Sequence, residues 1–89
     1  MNKGITAVAD KDVNVSGVTV TGSNDTAINV ESKEGNANVD TVELENVADG
    51  MTVTANNGTA TVEDITVNNS NGTAINTQAQ EVMIQGENT

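Results

Sequence analysis

Apolar residues along this chain fall on alternate positions in short bursts, such as Val13-Asn14-Val15, Val18-Thr19-Val20 and Val42-Glu43-Leu44. A period of two belongs to a half-buried strand, whose successive side chains point to opposite faces. It is not the 3.6-residue period of an amphipathic helix. Segments rich in Gly, Asn and Ser separate the bursts and read as turns. One cycle therefore predicts a strand at Val13–Val15, a bend at Ser16-Gly17 and a second strand at Val18–Val20. A polar loop over Thr21–Asp25, a third strand at Ala27–Val30 and a second polar loop over Glu31–Asn36 complete it.

The cycle then repeats. Thr26-Ala27-Ile28-Asn29 returns 47 positions later as Thr73-Ala74-Ile75-Asn76, with a divergent copy, Gly50-Met51-Thr52-Val53, between them. Ile5, Ile28, Met51 and Ile75 are separated by 23, 23 and 24 positions, and Val15, Val39 and Val62 by 24 and 23. A period in this range is the mark of a solenoid. The expectation is an all-β fold: a parallel β-solenoid forming a single domain over residues 1–89. It has about three full coils of 23–24 residues, with a partial coil at each end, Gly4–Ala7 and Val82–Ile84. Each strand should pair with its counterpart one coil on, about 4.8 Å away. The predicted core stacks are Val15/Val39/Val62, Val20/Leu44/Val67 and Ile28/Met51/Ile75. Outward positions should stack Asn14/Asn38/Thr61, Thr19/Glu43/Thr66 and Asn29/Thr52/Asn76, and the Asn pairs suit side-chain amide ladders.

The pattern V-x-V-x-x-V-x-V, a polar loop, then A-I-x-V resembles a coil of the right-handed parallel β-helix, the pectate-lyase-like superfamily, from about Gly4 to Ile84. The resemblance implies a right-handed coil. Members include polysaccharide lyases, phage tailspikes, autotransporter adhesins and surface-repeat proteins. Those are longer, usually capped by a helix and rich in stacked aromatics. This chain has neither a cap nor an aromatic residue.

Composition narrows the function. The chain lacks Phe, Tyr, Trp, Pro, Cys, His and Arg, while Val (13), Thr (13) and Asn (14) dominate. Its core must therefore come from small β-branched residues stacked regularly, not from aromatics or disulfides. A net charge of −10 with only three Lys disfavours nucleic acid, because phosphate neutralisation needs clustered cations. It disfavours anionic membranes likewise. No apolar run is long enough to span a bilayer, so membrane insertion is not expected. The first residues, Met1-Asn2-Lys3-Gly4, lack the apolar core of a signal peptide. The expected setting is extracellular or cell-surface, with the leader absent from this sequence.

The superfamily's lyases use an Arg or Lys base with Ca²⁺ held by acids, and its hydrolases use Asp clusters. Here Lys11 and Lys33 precede strands with no acid constellation legible beside them. An enzyme is not expected, nor is a resident cofactor. The acids offer one metal reading, a weak Ca²⁺ site at Asp40, Glu63 and Asp64, since stacked carboxylates supply hard oxygens. The competing reading, a solvated acidic face that maintains solubility, is preferred. Thr-x-Thr pairs occur at Thr19/Thr21, Thr52/Thr54 and Thr59/Thr61, but Glu43 and Glu45 follow the first pair one coil on, which breaks any flat Thr array. Asn24, Asn57 and Asn71 each open an N-x-T triplet, as chance provides in an Asn- and Thr-rich chain.

The ends carry the functional expectation. A coil stack exposes unpaired backbone groups at both ends, which natural solenoids cap. Here Ile5 and Ala7 lie at one end and Val82 and Ile84 at the other, with no cap between them and solvent. The expected function is a structural, self-assembling subunit that stacks head to tail into filaments, as in an extracellular fibre or matrix. High negative charge would oppose lateral clumping and tie assembly to salt or divalent cations. The alternative is a binding or display module, a segment of a surface adhesin or tailspike-like shaft. A designed solenoid also fits a chain from which several residue types are wholly missing.

Overall fold

The computed structural model describes residues 4–89, so Met1–Lys3, part of the segment read above for a leader, lie outside the described residues. The strands are β1 (Ile5–Ala9), β2 (Val13–Thr21), β3 (Thr26–Ser32), β4 (Ala37–Val47), β5 (Asp49–Ser70) and β6 (Ile75–Gln85). Every pairing between them is parallel. They wind into a β-solenoid of about four turns.

The register is the one the repeat predicts. On the first face, Ile5 pairs with Ile28, Ile28 with Met51 and Met51 with Ile75. On the second, Val15, Val39, Val62 and Ile84 follow one another. On the third, Val18, Val42 and Ile65 stack beside Val20, Leu44 and Val67. The tail adds a fourth layer to this third face: the Thr89 N–H donates to the Ile65 carbonyl at 2.8 Å, and the Val67 N–H to the Thr89 carbonyl at 2.7 Å. That pairing carries the winding beyond three coils and two fragments to about four layers.

The core is a single column. Ile28, Val30, Val39, Leu44, Met51, Val53, Val62 and Ile65 are fully buried, and Ala27, Ala37, Ala55 and Ala60 fill the narrower spaces near the corners. Burial fades toward the ends. Val20, Val67 and Ile75, all expected in the core, are only half-buried. Each side chain is covered by the layers above and below, and a terminal layer has one neighbour instead of two. At about 25 cal/mol per Å² of apolar surface removed from water, the central layers supply most of the stabilisation.

The polar loops are shorter than expected. β3 continues to Ser32, β4 runs unbroken through Thr41, and β5 passes through the region of Ala55–Thr59 into the next face. The reason is that corners stack as well as faces. The Lys33 and Glu34 N–H groups donate to the Ala9 and Asp10 carbonyls at 2.9 Å, and the Ala48 N–H donates to the Ser23 carbonyl at 3.0 Å. A corner whose backbone is hydrogen-bonded to the next coil behaves as bent strand.

The bends need positive φ. Between the second and third faces sit Gly17 (φ 66°), Thr41 (55°), Asp64 (56°) and Gly86 (74°), and between the third and first sit Gly22 (76°), Asn46 (54°) and Asn69 (62°). Gly, Asn and Asp tolerate this left-handed region, whereas a β-branched residue is strained there. At the start of the first face the repeat alternates Gly4, Ala27, Gly50 and Ala74, and a Cβ on Gly4 or Gly50 would run into the carbonyl of Ala27 or Ala74 one coil on.

Two stability outcomes follow. Replacing Thr41 by Asn should relieve the strained bend by about 1 kcal/mol and raise the urea midpoint without changing the slope. Ile28→Asp places an unpaired charge in the dry column, a penalty of several kcal/mol against a total stability of roughly 5–15 kcal/mol, and should abolish the β signal in circular dichroism.

Candidate functional site: the two open ends

Among the described residues, the unpaired edges fall chiefly on three elements. β1 and β2 close one end of the stack, and β6 closes the first and second faces of the other. On the third face the tail occupies that edge. The Glu87 N–H donates to Asp64 Oδ1 at 2.8 Å, the Ile65 N–H donates to Asn88 Oδ1 at 2.9 Å, and Thr89 completes the pairing. The far end is thus edged on one face by the short polar tail and on the other two by β6.

The apolar exposure of the molecule is concentrated at these ends. Among the described residues, the exposed large hydrophobics are Ile5 (37%), Val8 (54%), Val82 (43%), Met83 (43%) and Ile84 (63%), all in the first or last layer. Val8 and Met83 point outward. Ile5, Val82 and Ile84 point along the core column and continue the stacks of Ile28, Ala60 and Val62. Ala7, expected with them, is half-buried and packs against the core. The structure therefore sets the four end residues expected from the sequence on two opposite edges of one column.

A ladder of side-chain oxygens lines the first corner, between the first and second faces. Asp12, Asn36, Thr59 and Glu81 are successive register positions there, each one residue before the paired Val13, Ala37, Ala60 and Val82. Asp12 Oδ1 accepts the Asn36 N–H at 2.8 Å, Asn36 Oδ1 accepts the Thr59 N–H at 2.9 Å, and the Thr59 hydroxyl donates to Glu81 Oε1 at 3.4 Å. Asp49 Oδ1 does the same for the Thr73 N–H at the third corner, at 3.1 Å. Beside the ladder, Lys11 lies 3.6 Å from Glu34 and Lys33 lies 4.0 Å from Asp10, a reciprocal pair across two coils. Both pairs are solvent-exposed, so each is worth at most about 1 kcal/mol. The buried Ser32 hydroxyl donates to the Lys11 carbonyl and accepts the Gly35 N–H at 2.9 Å, pinning this corner from inside.

The lateral faces offer less chemistry. Asn38 Nδ2 donates to Asn14 Oδ1 at 2.8 Å and Asn69 Nδ2 to Asn46 Oδ1 at 3.0 Å, so the first amide ladder forms as expected and a second appears at the third corner. A shallow groove of about 400 Å³ runs along the second corner beside Thr19, Thr41, Glu43 and Asp64 and is open to solvent. Asp40 and Glu63 are register partners, with Asp64 at the bend beside them. Among the described residues, however, no group of three or more His, Cys, Asp or Glu is arranged to hold a metal ion. Asp64 Oδ1 is already engaged by the Glu87 N–H. Asn24, Asn57 and Asn71 are exposed at corners, with Asn57 Nδ2 donating to the Lys33 carbonyl at 3.2 Å.

The corner ladder, the Lys–acid pairs and the buried Ser32 escaped the sequence reading. A signal for the ladder was present, because Asp12, Asn36 and Thr59 keep the 24- and 23-residue steps of the core. Comparison with protein-family models, with characterised proteins and with solved structures finds no match to this chain.

Ser32→Ala would leave the half-buried Gly35 N–H without its side-chain acceptor and should cost about 1–3 kcal/mol. The exposed Ser16→Ala, measured alongside by urea denaturation, should change stability by less than about 0.5 kcal/mol.

Proposed function

We propose that this protein is a structural subunit that stacks head to tail through its two ends into an open filament. The observation that carries the reading is the confinement of large exposed apolar residues to the first and last layers, with Ile5 on one side and Val82 and Ile84 on the other continuing the core column. A second copy set one step beyond β6 would place its Ile5 over Ile75, its Val13 over Val82 and its Val15 over Ile84. Each of these repeats a step already present inside the molecule, such as Met51 over Ile28 or Val62 over Val39. The unpaired edges of β6 and of β1 and β2 would hydrogen-bond as the internal edges do, a form of strand addition. Because the two mating surfaces differ, the contact is heterologous, and a translation along the coil axis yields a filament and not a ring.

The lateral faces support this reading by what they carry. Glu43 and Glu45 on the third face and the pairs at the first corner keep the sides polar, which disfavours side-by-side association. The coil itself is read as right-handed and of the pectate-lyase-like type on its V-x-V-x-x-V-x-V pattern, in a non-catalytic role. A second reading rests on the same unpaired edges: neighbouring coils of a longer shaft would pair them equally well, making these residues a segment of a surface adhesin or tailspike-like display module.

Electron microscopy and sedimentation separate the outcomes. The protein should form unbranched filaments one solenoid wide. Ile84→Lys should stay folded by circular dichroism, because this residue is already the most exposed of the column, and should remain monomeric. Wild-type protein that stays monodisperse at every concentration and every salt, or Ile84→Lys that polymerises normally, would sink the stacking model.

A further inference from the structure

We infer that the joint between stacked copies is gated by a carboxylate pair, Glu81 of one copy against Asp12 of the next, so that ionic strength switches the filament on. This rests on the stacking reading and adds its regulation. The first-corner ladder supplies the argument. Its internal steps join Asp12 to Asn36, Asn36 to Thr59 and Thr59 to Glu81, a carboxylate to an amide, an amide to a hydroxyl and a hydroxyl to a carboxylate. No internal step of this ladder sets two charges in register. The joint is the step that does, because the layer beyond Glu81 is the first layer of the next copy, where Asp12 holds the same position.

The neighbouring cations are committed elsewhere. Lys11 reaches toward Glu34 and Lys33 toward Asp10, both within one copy. Among the described residues, the other charged side chains of the mating layers are Glu87 on the outgoing side and Asp10 and Asp25 on the incoming side, all exposed acids. The outgoing layer then carries two negative side chains, Glu81 and Glu87. The incoming layer carries Asp10, Lys11, Asp12 and Asp25, a net charge of 1 − 3 = −2. Both mating surfaces are negative around an apolar centre. Asp40 and Glu63 show that one such pair is tolerated inside the chain. There, covalent continuity and the whole column hold the pair in place, whereas at a joint the repulsion counts directly against association. Two unit charges about 5 Å apart in water repel enough to change an equilibrium about fourfold, and more where solvent is partly excluded.

The experiment follows assembly by light scattering and sedimentation from about 10 mM to about 1 M NaCl, over which the Debye length contracts from about 30 Å to about 3 Å. The wild type should assemble only toward high salt, its critical concentration falling severalfold or more. Glu81→Lys, which sets an ammonium against Asp12, should assemble at low salt and lose or reverse that dependence. Glu43→Lys makes the same change in net charge on the lateral third face and should behave as wild type, which separates the joint from the general effect of charge. Asp12→Asn keeps the acceptor for the Asn36 N–H, removes the charge, and should shift assembly to lower salt. Wild-type filaments that form equally at both salt limits would overturn the gate while leaving stacking intact. So would Glu81→Lys and Glu43→Lys variants that respond alike. Absence of filaments from the wild type and from every variant at every salt would overturn stacking itself, and the gate with it.

Discussion

Everything in this molecule depends on parallel hydrogen bonding between one coil and the next. A single coil of short strands cannot bury its own apolar side chains, because its inward residues meet only a narrow space and two open sides. Stacked, each coil becomes the lid of the one before it. The same ladder that pairs Ile28 with Met51 and Val39 with Val62 also seals the side chains between those layers. Hydrogen bonding and apolar burial, separable in many folds, are here one geometric event. This explains how a chain without an aromatic residue or a disulfide has a dry column of Val, Ile, Leu, Met and Ala. Shape repetition takes the place of large side chains.

Two kinds of position had to be solved for the stack to close. Faces need alternation, which Val, Thr and Asn provide. Corners need either left-handed backbone or side chains able to replace missing ladder bonds. Gly17, Gly22, Asn46, Asp64 and Asn69 serve the first need, with Thr41 as the strained exception. Asp12, Asn36 and Asp49 serve the second by accepting N–H groups from the following coil. Several of the acids that make this chain so negative are thus part of the backbone's hydrogen-bonding scheme. No buried side-chain nitrogen or oxygen among the described residues lacks a partner.

The core stacks were legible because burial imposes a strict, local rule: the residue type at a position must match the one a coil away. Val15, Val39 and Val62 carry that rule on their face. The corners were less legible because several chemistries satisfy the same geometry. Gly, Asn, Asp and even Thr occupy the left-handed bends, and Asp and Asn both supply the accepting oxygen. Ser32 was placed in a polar loop because its residue type is common there; only the closure of the corner around it reveals a buried role. The pairing of Lys11 with Glu34 and of Lys33 with Asp10 depends on which corner residues project toward each other, which no periodicity encodes. The end residues Ile5, Val82 and Ile84 were readable as apolar positions at the first and last steps of the repeat.

The last coil is built to a different length from the others without disturbing its register. Between the first and second faces, Ala79 to Glu81 spans two steps where Ala55 to Thr59 spans four, yet Ala60 still meets Val82 and Val62 still meets Ile84. The third corner makes the opposite adjustment, since Val47 pairs with Ser70 and Met51 with Ile75, so 24 residues separate the second pair where 23 separate the first. Faces fix phase, and corners absorb differences in length. In evolutionary terms the coil is a unit whose insertions and deletions are confined to its hinges. Such a chain can gain or lose whole turns by duplication and can trim individual corners afterwards, with neither change reaching the column at its centre.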